Sequence, residues 1–191
     1  MTRRSLTAIT LGLIAALVVG GLVYSRYFSS GSLQTASIAP LRAPLAVGDS
    51  APAFTAATTA GLFNLAKEKR PIFLEIFATW CPHCQRETAV IDHLFAKYGN
   101  RVSFIAVVGS NKGMDYSSPE SSLDLLAFQQ RFGVTYPIAT YDPALTVAQQ
   151  YLQGGFPTIV LIGRNKKILS LVSGEIPYAA LDKALQTVLS P

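Results

Sequence analysis

Cys81 and Cys84 are the only cysteines among the 191 residues, and two residues separate them. A thiolate at the first position can attack a partner disulfide to form a mixed disulfide, which a second thiol one helical turn further in resolves by attacking the first sulfur. The spacing therefore predicts thiol–disulfide exchange, with Cys81 attacking and Cys84 resolving. A permanent structural disulfide is the plainer alternative for such a pair. A zinc site would need about four ligands. Beyond the thiols only His83 and His93 are on offer, and His83 is trapped between the cysteines. No metal and no cofactor is expected.

The pair must be positioned by what surrounds it. Ile72 to Phe77 (IFLEIF) is a short, nearly continuous apolar run after the Lys69-Arg70-Pro71 break, the pattern of a strand buried on both faces. After the cysteines, Val90, Ile91, Leu94, Phe95 and Tyr98 recur at helical spacing, and Gly99-Asn100 supplies a stop. The motif thus falls where a strand runs into a helix. There Cys81 meets the unpaired N–H groups and positive dipole end of the helix, which favour a thiolate. Glu75 is a lone acid within the apolar run, and burial would raise its pKa toward the range useful for proton transfer.

Val102 to Val108 reads as the next buried strand, so strand, helix and strand form a parallel crossover. Gly109 to Ser122 reads as an exposed loop, with Ser121 or Ser122 capping a helix over Leu123 to Phe132. Tyr136 to Thr140 is expected as a short strand, Ala144 to Tyr151 as a short helix, Thr158 to Ile162 and Ile168 to Val172 as strands, and Tyr178 to Leu189 as a closing amphipathic helix. The sum is an α/β domain with a mixed sheet.

Four of the 16 Lys and Arg residues (Arg3, Arg4, Arg26 and Arg42) precede Gly48, and the rest nearly balance the 11 Asp and Glu without forming basic clusters. The formal charge of +5 thus belongs to the leader, and no nucleic-acid partner is expected. Leu6 to Tyr24 carries no charge and is about long enough to cross a hydrocarbon core of roughly 30 Å. Residues 1–24 are therefore expected to be an N-terminal signal anchor that enters the bilayer through residues 6–24. Arg3 and Arg4 stay in the cytoplasm and the folded part lies outside. Cleavage as a signal peptide, yielding an exported soluble protein, is the alternative. Residues 25–47, rich in Ser, Gly, Ala and Pro, are expected to be a flexible linker, and the folded domain to span 48–191.

Val47-Gly48-Asp49-Ser50-Ala51-Pro52-Ala53-Phe54, the strand ending in Phe77-Ala78-Thr79-Trp80-Cys81-Pro82-His83-Cys84, and Gly155-Phe156-Pro157-Thr158 before an apolar strand together resemble the membrane-tethered thioredoxin-like proteins of the TlpA/ResA/CcmG group. The match covers nearly all of 48–191. It implies a thioredoxin-like fold with a mixed central sheet flanked by helices. It also implies that Pro157 is a cis-proline, that Phe156 beside it pairs its backbone with a substrate segment, and that Trp80 shapes the docking surface. Glu75 would exchange a proton with the resolving cysteine. Glu87, one turn beyond Cys84, would tune the thiols unless it faces solvent. The Pro-His dipeptide departs from the pairs common in this group and resembles that of strongly oxidising DsbA-type proteins. His83 near Cys81 would stabilise the thiolate and make the disulfide more oxidising.

The activity so implied is an extracytoplasmic thiol–disulfide oxidoreductase on the periplasmic side of a bacterial cytoplasmic membrane. Its clients would be exported proteins with cysteine pairs, its redox partner a membrane thiol electron donor or acceptor, and its pathway cytochrome c maturation. Two alternatives belong to other classes. A peroxiredoxin-like thiol peroxidase would need Pro-x-x-x-Thr-x-x-Cys, but Leu74 and Ala78 occupy the Pro and Thr positions. A Sco-like copper chaperone would need Cys-x-x-x-Cys and a distant histidine, but no His follows His93.

Overall fold

The structure is a computed structural model that describes residues 44–190. The anchor expected over 1–24 and most of the 25–47 linker lie outside the described residues. Among those described, no helix is long and apolar enough to cross a membrane.

Among the described residues, six strands and four helices follow in the order β1 (Thr55–Thr58), β2 (Gly61–Asn64), β3 (Ile72–Phe77), α1 (Pro82–Tyr98), β4 (Ser103–Val108), α2 (Ser122–Phe132), α3 (Ala148–Tyr151), β5 (Thr158–Ile162), β6 (Ile168–Ser173) and α4 (Tyr178–Leu189). β1 and β2 form a separate antiparallel hairpin, and the central sheet has the order β4-β3-β5-β6. β3 runs parallel to β4 and antiparallel to β5, and β6 is antiparallel to β5. The mixed α/β sheet expected from the sequence is therefore the one present.

All six residues of β3 are buried, because the sheet has a core on each face. Successive side chains of a strand point to opposite faces. Phe73 and Phe77 accordingly join Phe104, Ile159 and Leu161 in the core beneath α1, α2 and α4. Ile72, Leu74 and Ile76 join Ile105, Val107, Val160 and Tyr151 on the α3 side. Glu75 has the parity of Phe73 and Phe77, so the strand's period puts its carboxyl beneath α1, the helix that begins at the cysteines.

α1 opens with Pro82, which tolerates a first-turn position because the N–H it lacks would have no partner within the helix. It closes at Gly99. A Cβ there would lie 2.7 Å from the Phe95 carbonyl oxygen and 2.8 Å from its ring, so only glycine fits. α2 starts where Ser121 accepts a hydrogen bond from the Asp124 backbone N–H at 3.2 Å, and ends at Gly133 in the left-handed conformation, φ 65°.

Three expectations need correction. Tyr136 to Thr140 is not a continuous strand, because Pro137 has no N–H to give to a ladder. Only Ile138 and Ala139 form bridges, to Ala106 of β4 and Thr58 of β1, and so the segment stitches the hairpin to the central sheet. The helix expected from Ala144 begins four residues later. Asp142 accepts from the N–H groups of Ala144 and Thr146 at 2.9 Å each, shaping a turn, and Leu145 adopts φ 50°, outside the helical region. The loop from Gly109 to Ser122 is not exposed throughout: Asn111, Lys112 and the stretch 115–119 face solvent, whereas Gly113 is buried. Ser110 and Glu120 are buried at its ends. The hairpin β1–β2 carries no alternating apolar pattern, and sequence reading misses it.

Candidate active site

The α1 N-terminus lies against the sheet edge where β3 ends. Cys81 takes the N-cap position with an extended backbone and without a side-chain cap. Its carbonyl accepts from the Gln85 N–H at 3.0 Å, the first helical bond. Both cysteines are free thiols. Cys81 keeps 4% of its surface exposed, whereas Cys84 keeps none, so an incoming disulfide meets Cys81 first. Burial drives the Cys84 thiol far above its ordinary range, and the nearby Glu75 charge adds to the effect.

Glu75 is the acid beneath this pair. Its Oε2 accepts a hydrogen bond from the Tyr136 hydroxyl at 3.2 Å, while its buried Oε1 has no partner among the described residues. Burial pushes its pKa up to about 8, against the lowering effect of the Tyr136 hydrogen bond and with help from the charges of Glu87 and Asp92. A pKa in this range lets the carboxyl hold or release a proton not far from neutral pH, close enough to Cys84 for its charge to act on that thiol. At 1% exposure its side chain does not face solvent.

Glu87 is also buried, 2% exposed, rather than on a solvated helix face. Its Oε2 accepts from the Ile176 N–H at 3.3 Å, its Oε1 is unpartnered among the described residues, and burial pushes its pKa up to about 7. Burial of this position comes from the turn between β6 and α4, a long-range contact that helical spacing cannot reveal.

The Phe156–Pro157 peptide is cis. The Phe156 carbonyl oxygen lies 3.7 Å from the Cys81 sulfur and accepts its S–H. Trp80 is half-buried. Its indole N–H donates to Ser110 Oγ at 2.8 Å, and its ring meets those of Tyr116 and Phe156 edge-on, at centroid distances of 4.8 and 5.9 Å. The Gly109–Ser121 loop is clamped next to the motif by Thr79 Oγ1, which donates to Glu120 Oε2 at 2.5 Å. An aromatic rim thus flanks Cys81 on the side where the loop arrives.

His83 is exposed, and its Nδ1 lies 2.5 Å from Glu175 Oε1. Arg86 also binds that oxygen, through Nε at 3.0 Å and through Nη2. The imidazole is thus engaged by a carboxylate rather than free beside the sulfur. Sequence reasoning missed Tyr136, Tyr116, Arg86 and Glu175. Each meets a partner across a long stretch of chain, and only for Arg86, which also contacts His83 one turn before it on α1, was a signal available in the sequence.

A family model described as Redoxin matches residues 46–185. The chain is 29% identical over 185 residues to the thiol-disulfide oxidoreductase ResA of Geobacillus thermodenitrificans, covering 95% of this chain and 93% of that protein. It is 27% identical over 184 residues to the ResA of Geobacillus kaustophilus, with the same shares covered. Among solved structures, a putative thiol:disulfide interchange protein DsbE from Chlorobium tepidum superposes with a TM-score of 0.65 at 27% identity, covering 76% of this chain and 99% of that one.

Proposed function

Since the chain belongs to the Redoxin family, in its thioredoxin-like TlpA/ResA/CcmG group, and is a thiol–disulfide oxidoreductase of protein substrates, we propose that it works outside the cytoplasm on exported proteins with cysteine pairs, as a reductant in cytochrome c maturation. Residues 6–24 would hold it in the bacterial cytoplasmic membrane, and a membrane thiol donor would recharge it.

In this reading the Cys81 thiolate attacks one sulfur of a client disulfide, and the client's other sulfur leaves as a thiolate that takes up a proton. Glu75 in its ionised form, a minority near neutral pH because its pKa is raised to about 8, takes the Cys84 proton, and the Cys84 thiolate attacks Cys81. The client's second sulfur then leaves and is protonated in turn. Client disulfide becomes dithiol, and the Cys81–Cys84 pair becomes disulfide, with two electrons and two protons passed. Phe156 and Pro157 would line the client's backbone, and Trp80 its side chains. His83 and Glu87 would tune the couple.

The observation that carries the proposal is the division between the two thiols. Cys81 keeps a small exposed surface, while Cys84 is sealed above an acid whose raised pKa of about 8 lets it exchange a proton not far from neutral pH. The test is a full-length Cys84→Ser variant incubated with a disulfide-bonded client peptide. A mixed disulfide at Cys81, seen by mass spectrometry, is expected. Absence of that adduct, with no exchange by the unmodified chain, would sink the proposal. Retention of the chain in the membrane pellet after alkaline carbonate washing, and its release on deleting residues 2–26, tests the anchor.

A further inference from the structure

We propose that Glu175 is a positioning residue for the Cys81–Cys84 couple: by holding Arg86 and His83 it cancels positive charge at the start of α1 and so lowers the couple's reduction potential. The inference rests on the exchange activity proposed above and adds to it a residue 94 positions from the attacking sulfur.

Three observations converge on this residue. First, its carboxylate is placed by backbone and not merely by surface side chains. The Gly174 N–H before it donates to the Pro157 carbonyl at 2.8 Å. The Ile176 N–H after it donates to Glu87 Oε2 at 3.3 Å. Glu175 is thus strung between the segment that faces Cys81 and the buried acid of α1. Second, a single oxygen, Oε1, takes Arg86 Nε at 3.0 Å, Arg86 Nη2, and His83 Nδ1 at 2.5 Å. Both partners sit in the first two turns of α1, where a helix already presents positive charge. Third, Arg86 is within electrostatic reach of Cys81. Glu175's hydrogen bond is the largest influence holding the guanidinium's proton, and attraction to the Cys81 sulfur adds to it.

The sign follows from charge. Arg86 and Glu175 together are formally neutral. Removing the carboxylate leaves a net positive group near Cys81. Only the reduced form of the couple can place a thiolate there, so the reduced form gains and the disulfide becomes more oxidising. Removing Arg86 leaves Glu175 negative and acts the other way. Interactions between groups this exposed are modest, so the expected change is about two- to fivefold in the exchange equilibrium constant, about 10 to 20 mV for a two-electron couple.

The experiment equilibrates the full chain with glutathione at pH 7. Two glutathione thiols surrender two electrons and two protons to the Cys81–Cys84 disulfide and emerge as glutathione disulfide. The unmodified chain, Glu175→Gln and Arg86→Gln are compared. A rise in potential for Glu175→Gln with a fall for Arg86→Gln is expected. A general loosening of the α1 start would move both variants the same way, and that outcome, or no shift in either, overturns the inference while leaving the exchange activity standing. Failure of the unmodified chain to equilibrate at all would instead overturn the underlying activity, and this inference with it.

Discussion

The Tyr136 hydroxyl and Glu75 Oε2 lie 3.2 Å apart, in a hydrogen bond that spans 61 residues of chain and tethers the carboxyl, whose other oxygen is buried without a partner among the described residues. The acid is therefore held in place but weakly solvated, which keeps its proton on near neutral pH.

Replacing Glu75 by Gln should slow resolution of the mixed disulfide by about 10²-fold, the low end of what a positioned proton acceptor contributes. Stopped-flow fluorescence of the Cys81–client adduct measures it. An unchanged rate would remove Glu75 from the mechanism.

The same variant should alter how stability depends on pH. The folded pKa of about 8 lies above the ordinary 4.5, so the folded state keeps a proton that the unfolded chain releases. The contribution is full below pH 4.5 and is lost as pH rises toward 8, by a few kcal/mol at most, since a tenfold difference in proton affinity between the two states is worth about 1.4 kcal/mol. Urea unfolding at about pH 5 and about pH 8 should show the unmodified chain losing stability between the two, and Glu75→Gln losing less. Glu87, whose pKa is raised in the same direction, supplies the residual slope.

Tyr136→Phe removes the donor that lowers the Glu75 pKa. The pH at which exchange reaches half its maximal rate should move upward, and stability should fall by about 1–3 kcal/mol, the cost of leaving a buried polar atom unpaired. A pH profile that stays in place would show that the hydroxyl only fills space.

Gly109→Ala would put a Cβ 2.7 Å from Ile76 Cγ2 and 2.8 Å from Phe156 Cε1. Ile76 is locked in the core, so the Phe156 ring must yield. A loss of about 1–3 kcal/mol, typical of overpacking, should accompany weaker client binding, read as a higher KM. An unchanged KM would separate Phe156 from client recognition.

Leu74→Ala serves as the contrast. Leu74 is fully buried but faces the α3 side, away from Glu75 and the cysteines. Chemical denaturation should show a loss of about 2–5 kcal/mol, with the reduction potential unmoved. A shift in potential would mean that the two faces of the sheet are not independent.

Legibility followed the range of the interactions. β3, β5, α1 and α4 could be read because continuous apolar runs and helical spacing are local patterns. The parity of Glu75 within β3 already put it on one face, and the resemblance of the surrounding motif gave it a partner. Tyr136 could not be found this way, since nothing near it in sequence announces that its hydroxyl meets an acid on another element. Glu87 was ambiguous for the same reason: the turn that covers it is 89 residues away. The hairpin was lost because Thr55–Thr58 and Gly61–Asn64 are short, half-exposed and rich in small residues. His83 was legible as a residue near the sulfurs but not in its orientation, which Glu175 decides.

The alternation along β3 makes the six-residue interval from Glu75 to Cys81 a ruler. Adding or deleting one residue between Ile72 and Glu75 would, with the strand's end held in register, leave the acid in place and reverse the residues before it. The same change between Glu75 and Phe77 would carry the carboxyl through the sheet into the layer of Ile72, Leu74 and Ile76, away from Tyr136 and the cysteines. Substitutions can grade this site, but a one-residue length change in that stretch disconnects it, so descendants of this chain can vary the identity of Glu75's neighbours far more freely than their number.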